Sequence, residues 1–368
     1  VTDSIAAVED TEPDEPRLGP VLVIGAGLVG ASIGCALTAA GVEVHLRDAI
    51  PSHAQVAAGL GAGSAEPVDP EQVELVIVAV PPRALAPVVS AALDEFANAV
   101  VTDVGSVKGT VLSELSARGL ELRRYVGSHP MAGSHLAGPV TARADLFTDR
   151  TWVVTPHDTA TPGSVATVTE LAELCGASVV QMPAAEHDLA VAAVSHLPHA
   201  VSALVAAGLT EVDPAHLALA GQGVRDVTRI AGGDPALWDQ ILSANAPAVA
   251  AQLATLAERL EELSRRLSVR QPVTDLLEQG VAGTREIPGK HGRAATAYAR
   301  IVVEIPDAPG SLARLFTDAG AAGVNVEDIS IEHDPVREVG WLQMSVRPEL
   351  ADTFAELMGQ KGWRVHLG

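Results

Sequence analysis

Residues 20–41 read PVLVIGAGLVGASIGCALTAAG, and the fold turns on how this stretch divides. The first five residues form a short apolar run with the length and branching of a buried strand. GAGLVG follows, and an apolar helical pattern then runs to Gly41. A glycine triplet alone marks no more than tight turns. Between a strand and a helix, however, Gly25, Gly27 and Gly30 allow a sharp turn and close approach of a pyrophosphate to the backbone. The helix start adds free amides and the positive end of its dipole. Ala26, Leu28 and Val29 complete that cradle. A second strand over 42–48 ends on Asp48, about twenty residues on, where a carboxylate accepts from a ribose. The arrangement predicts dinucleotide binding, with NAD favoured over NADP. Arg47 is the one neighbour that could instead reach a 2′-phosphate.

Working outward, further strands are expected at 74–80, 99–106, 125–128, 151–156 and 177–182, with helical patterns at 83–96 and 164–176 between them. Strands alternating with helices of this length imply βαβ units around a mostly parallel sheet. Residues 1–19 are acidic, carry proline and show no periodicity, so a disordered leader is expected there. After Met182 the strand signal stops. Residues 184–212 read as one long helix kinked at Pro198. Residues 234–242 open with Asp234 as a cap and Pro235 in the first turn. Residues 246–267 are amphipathic, with Leu253, Leu256, Leu260 and Leu263 on one stripe. This apolar content exceeds what one small bundle needs and points to a dimer interface. Residues 269–297 are glycine-rich and polar, as in a linker, and 298–368 repeat a strand–helix–strand–strand–helix–strand pattern. The expected organisation is therefore a leader to residue 19, a dinucleotide-binding domain over 20–182, a helical domain over 183–268, the linker, and a small C-terminal α/β domain.

Composition narrows the function classes. At 368 residues the chain is long enough for two or three cores. A formal charge of −22 opposes a nucleic-acid partner. No uninterrupted apolar run approaches the ~20 residues of a membrane span, and no signal peptide is evident. Cys35 and Cys175 lie in apolar helical patterns and read as free core thiols of a reducing cytoplasm.

Four stretches carry candidate chemistry. RYVGSHPMAGSHLAGP (124–139) presents His129 at a strand end, and the following proline holds it out of the helical region. DVGSVKG (103–109) places Ser106 after a strand end, where open α/β sheets bind ligands. Ser106 can be a helix N-cap, a hydroxyl at the cofactor's reactive end, or both. SHLPH (195–199) sets His196 and His199 one helical turn apart, either as satisfied core groups or as ligand contacts. The spacing lacks the further ligands a metal needs, so none is expected. GQGVRDVTRIAGGDP (221–235) carries Asp226 and Arg229 at a spacing suited to pairing, with guanidinium donors left for a carboxylate ligand.

GAGLVG, DVGSVKG, GSHPMAGS, SHLPH and GVRDVTRIA…DPALW, in this order, resemble prephenate dehydrogenase, the TyrA family of tyrosine biosynthesis. The tail, with DAPGSLARLF and GVNVEDISI, resembles an ACT domain joined through IPGKHG, as in actinobacterial forms. The resemblance implies a Rossmann-type α/β domain, an all-helical dimerisation domain and a small ferredoxin-like α+β domain, in a cytoplasmic homodimer. It implies NAD+-dependent oxidative decarboxylation of prephenate to 4-hydroxyphenylpyruvate. His129 would take the C4 hydroxyl proton, Ser106 would hold that hydroxyl, Arg229 a substrate carboxylate and His199 the pyruvyl side chain. Ser134 and His196 are assigned to the substrate as well. Tyrosine is the implied effector, bound in the tail near Asp307, Gly310 and Asn325. His135 departs from the family, which usually has an acidic residue there, so gating of the entrance is open. Two other readings remain: a dehydrogenase for arogenate or an amino-substituted prephenate, and a non-catalytic sensor of NAD and an amino acid.

Overall fold

The computed structural model describes residues 18–133, 138–287, 299–306, 308–324, 328–334 and 339–367. It divides into two compact units, up to Val269 and from Arg270 onward.

The first unit opens with β1 (Val21–Ile24), α1 (Leu28–Ala39), β2 (Val44–Arg47), α2 (Pro51–Gly59), β3 (Leu75–Val78), α3 (Pro82–Glu95) and β4 (Val100–Asp103). These strands form a parallel sheet in the order β2-β1-β3-β4, with Val21, Val44, Leu75 and Val100 in register. Both faces are covered, which is why β3 is apolar and buried at every position. One core lies between the sheet and α1, around Val21, Val23, Ile33 and Leu37. The other lies beneath α3, around Leu22, Val76, Val89 and Phe96. Leu18, in the stretch read as leader, already belongs to the first core.

Beyond β4 come α4 (Gly109–Ala117), β5 (Gly127–Pro130), β6 (Thr151–Thr155), α5 (Pro162–Leu174) and β7 (Ser178–Gln181). The last three strands form a second sheet, in which β5 runs antiparallel to β6 and β7 parallel to it. The expectation of one mostly parallel sheet therefore holds for the first four strands only. A single bridge, Val101 to Tyr125, links the two sheets.

Helices then take over: α6 (Ala184–Val191), α7 (Leu197–Gly208), α8 (Pro214–Leu217), α9 (Gln222–Thr228), α10 (Pro235–Ala244) and α11 (Ala246–Ser268). A π-turn over Ala192–His196 joins α6 to α7, whose second residue is Pro198. Proline has no N–H and crowds the carbonyl four residues back, and the wider turn absorbs that conflict. The continuous helix over Ala184–Glu211 is long and apolar enough to cross a membrane by length and composition. The expectation that no uninterrupted apolar run spans a membrane's thickness stands beside this, since His187, Asp188, His196 and His199 lie within the helix.

In the second unit, α12 (Thr274–Arg285) stands where composition reads as linker. Gly280 and Gly283 within it cost a helix about 1 kcal/mol each, which hides it from a propensity argument. The remainder is β8 (Ala299–Pro306), α13 (Ser311–Ala321), β9 (Asp328–Asp334), β10 (Val339–Val346), α14 (Pro348–Gln360) and β11 (Arg364–Leu367). The strands pair antiparallel in the order β11-β8-β10-β9, the split β-α-β arrangement.

Candidate functional site

The glycine turn has the shape a dinucleotide needs. Gly25 has φ +104°, and a Cβ there would stand 2.2 Å from the Ala79 carbonyl oxygen. A Cβ on Gly30 would meet the Gly25 carbonyl oxygen at 1.9 Å, so only glycine lets α1 start this close to β1. Gly27 is different. Nothing lies within 4 Å of where its Cβ would be, and it caps α1 with no side-chain bond. The first amides of α1, at Leu28 and Val29, thus open onto a space that a pyrophosphate fits. Asp48 sits beside the turn, with Oδ2 accepting from the Ala26 amide at 2.7 Å and Oδ1 from the Ile50 amide at 2.8 Å. Arg47, the residue that raised NADP, is turned elsewhere. Its guanidinium grips Glu95 through two bonds of 2.8 and 2.9 Å and lies 5.4 Å above the Phe96 ring.

His129 lies in β5, opposite Val153 of β6, and Pro130 follows it opposite Trp152. Its Nδ1 is 2.9 Å from Nε2 of His187 in α6, and Nδ1 of His187 is 2.8 Å from Oδ1 of Asp188. Asp188 in turn accepts from the backbone amides of Lys108 and Gly109 at 2.9 and 2.8 Å. It therefore caps α4, whose own N-cap residue, Lys108, offers no side-chain bond. Ser106 lies half-buried in the turn before α4 and does not open the helix. The capping role suggested for it belongs to a carboxylate eighty residues away.

Beneath this arrangement lies a buried polar knot. Lys108 Nζ donates to Asp103 Oδ1 and, at 2.8 Å, to the Ser128 carbonyl oxygen. Tyr125 donates its hydroxyl to Asp103 Oδ2 at 2.7 Å. One lysine thus ties the Ser106 turn to the strand that carries His129. Burial pushes the Lys108 ammonium below its usual range, although Asp103 opposes that shift. Burial also pushes the Tyr125 hydroxyl up. His129 is held well below the ordinary histidine value, first by burial and then by His187, Lys108 and His196. For Asp188, burial acts upward, but the bonds from His187, Lys108 and Gly109 outweigh it and the carboxyl titrates below its usual range.

Of the two histidines of SHLPH, His196 closes the π-turn and His199 lies in the first turn of α7. His196 is buried, and burial pulls its pKa to about 4. Asn245 Nδ2 approaches its Nδ1 at 3.1 Å and also donates to the Asp188 carbonyl oxygen at 2.8 Å. His199 is stacked on Trp238 of α10, with ring centroids 3.4 Å apart at 9°. Only 7% of His199 is exposed, and burial lowers its pKa as well. Arg229 follows α9, where a 3-10 turn over Arg229–Gly232 begins, and its side chain is exposed. The expected Asp226–Arg229 pair does not form, because Asp226 accepts from Gln222 Nε2 at 2.7 Å on its own helix. Among the described residues no cluster could hold a metal ion. Ser134, His135, Asp307 and Asn325 lie outside the described residues. Gly310 has φ +87° before α13 and borders an open pocket of about 340 Å³, lined also by Pro306, Ser311 and Ile331.

Sequence reasoning missed His187, Asp188, Lys108 and Asn245. Lys108 carried a usable signal, being one of three lysines in the chain and set in an apolar glycine-bearing turn. The others carried none, since a His-Asp pair in the first turns of a helix is an ordinary surface pattern.

The family description "Prephenate dehydrogenase, nucleotide-binding domain" matches residues 33–181, and "Prephenate dehydrogenase, dimerization domain" matches 183–279. The chain is 36% identical over 355 residues to the probable prephenate dehydrogenase NovF of Streptomyces niveus, covering 93% of this chain and 98% of that one. The structure of prephenate dehydrogenase from A. aeolicus, in complex with hydroxyphenyl propionate and NAD+, is 26% identical with a TM-score of 0.66. That match covers 73% of this chain and 98% of the other. Synechocystis arogenate dehydrogenase is 27% identical with a TM-score of 0.62, covering 73% and 99%.

Proposed function

The chain belongs to the prephenate dehydrogenase family of NAD-dependent oxidoreductases, and from that premise we propose how its site turns prephenate into 4-hydroxyphenylpyruvate. The observation that carries the reading is His129, half-buried at the end of β5 and favoured in its neutral form by desolvation and by its neighbours. A neutral imidazole at pH 7 is a base ready to accept a proton. NAD+, held by Gly25–Gly30 and Asp48, supplies the hydride acceptor when bound. His129 takes the proton of the C4 hydroxyl as that carbon is oxidised. The ring carboxylate leaves as CO2, and its bonding pair enters the ring, which becomes aromatic. The oxygen at C4 then recovers the proton from His129, so no proton is gained or lost overall. Ser106, on the turn that Lys108 fastens to β5, holds the same hydroxyl. Arg229, whose side chain is exposed, binds a substrate carboxylate together with Ser134. His196 and His199 line the pyruvyl side, with the His199 ring set against Trp238.

The test is direct. Asparagine at 129 reaches as far as histidine but accepts no proton. His129→Asn should lower turnover with prephenate by roughly 10²–10⁴, the usual worth of a positioned base. The Michaelis constant should move far less. The same assay with arogenate, following NADH absorbance, fixes the substrate. Near-normal turnover in the variant would remove His129 from the chemistry.

The wider organisation follows the same reading. Residues 20–182 bind the cofactor, 183–268 complete the substrate site and pair two copies into a homodimer, and 269–297 connect to a tail over 298–368. The split β-α-β arrangement of the tail supports an ACT domain of the actinobacterial type, with tyrosine as effector at the strand-to-helix turn around Gly310. The unpaired thiols Cys35 and Cys175 accord with a cytoplasmic enzyme.

A further inference from the structure

His187 is 1% exposed and lies behind His129, so it is no ligand of a substrate. Its two hydrogen bonds nevertheless determine what His129 can do. Asp188 is a carboxylate, an acceptor only, so the His187 Nδ1 facing it must carry a hydrogen. In the neutral ring, His187 Nε2 is then a bare acceptor. The His129 Nδ1 at 2.9 Å must therefore be the donor. A neutral His129 with hydrogen on Nδ1 has its lone pair on Nε2. The orientation of Asp188 is in turn fixed by the amides of Lys108 and Gly109, which open the helix after the Ser106 turn.

Resting on the reading of His129 as the base, we propose that His187 is a positioning residue which, with Asp188, sets the tautomer of His129 and leaves Nε2 as the proton acceptor. The balance of the reaction shows what this pair must supply. The proton taken from the C4 hydroxyl returns to the oxygen at C4 when CO2 departs, so nothing has to be exported to solvent. The pair need only hold the ring and stabilise the short-lived imidazolium, whose Nδ1–H stays bonded to His187. The charged and titratable groups acting on the ring are His187 from α6, Lys108 before α4, and His196 from the π-turn. Two anions stand behind these groups: Asp188 reaches His129 through His187, and Asp103 is paired with Lys108.

Two variants and two readouts test this on the full-length enzyme. His187→Leu fills the space but accepts nothing. It should cut turnover roughly 10²-fold, the lower end of what a positioned base contributes, with a Michaelis constant for prephenate within a few-fold of wild type. His187→Gln keeps an oxygen that can accept from Nδ1 and should restore turnover to within several-fold. Histidine ¹⁵N spectra of the enzyme without substrate read the tautomer directly. His129 should show a protonated Nδ1 in the wild type and the glutamine variant, and a mixture in the leucine variant. If leucine does not fold, the glutamine variant and the wild-type spectrum still decide. Wild-type His129 protonated on Nε2 overturns the proposal, as does a leucine variant with near-normal turnover. Loss of turnover equal in both variants, with the His129 tautomer unchanged, also overturns it. Failure of the base reading is separate, because it appears only as retained turnover in His129→Asn.

Discussion

Asp48 and Arg47 adjoin in sequence but do different work, and their contacts make cofactor choice testable. Asp48 holds the Ala26 amide of the glycine turn, and its proposed contact with a ribose is open to test. Asp48→Ala should weaken NAD+ by about 1–3 kcal/mol, the scale of a hydrogen bond to a charged group, and should improve NADP+ relative to NAD+. Part of the loss will reflect the turn itself. Asp48→Asn, which can still accept from Ala26, separates the two effects in a titration of NAD+ binding. Arg47 is held by Glu95 and the Phe96 ring, and both partners of that ion pair are more than two-fifths exposed. Such a pair contributes little to stability. Arg47→Ala should therefore leave the NAD+/NADP+ ratio of kcat/KM within about two-fold, as expected of an ordinary surface pair. A large rise or fall in that ratio would put the guanidinium back at the ribose. This distinction was not legible in the sequence, which shows that the arginine is near but not that a glutamate on α3 holds it.

At the scale of elements, the π-turn before Pro198 presents a buried His196 whose protonation the fold resists. Asn245 Nδ2 donates to the Asp188 carbonyl oxygen, which can only accept, so it is the amide nitrogen that meets His196 Nδ1. That ring nitrogen is then bare and the histidine neutral. The folded pKa of about 4 lies below the ordinary value of about 6.5, so the unfolded chain binds the proton first. His129 and His199 are shifted in the same direction. As pH falls from about 6.5 toward 4, the unfolded state gains protons that the folded state refuses, and the midpoint of thermal unfolding should drop. His196→Gln, which is not titratable, should flatten that slope. An equal slope in the variant would place the loss elsewhere. Local elements of this region were readable where their signals are local. Asp234 caps α10 through the Ala236 amide at 2.9 Å, as its sequence indicates. The cap of α4 was not readable, because it comes from Asp188, and a contact across that separation leaves no mark on local periodicity.

For the molecule as a whole, the two units make separate predictions. A chain ended at residue 287 keeps the glycine turn, His129 and every helix of the first unit. It should retain turnover but respond differently to tyrosine, and an unchanged inhibition curve would mean that the effector acts elsewhere. The helical part makes the stronger demand. Leu189, Val194 and Leu204 on α6, the π-turn and α7 are 60%, 69% and 68% exposed, and Leu219 is 84% exposed. Apolar side chains of this size each gain about 1.5–3 kcal/mol on full burial, so covering this face supplies a substantial drive for association. A second copy is the partner that the matched dimerization domain suggests, and an interface between identical chains buries each such residue twice. The protein should therefore sediment at twice its 37.8 kDa, with a thermal midpoint that rises with concentration. Leu204→Glu places a charge on that surface. It should shift sedimentation toward the single chain and lower the midpoint, while far-ultraviolet circular dichroism stays helical. A variant that still sediments as the dimer would show that this face is not the contact, and the exposed Leu204 and Val205 of α7 would then need another cover.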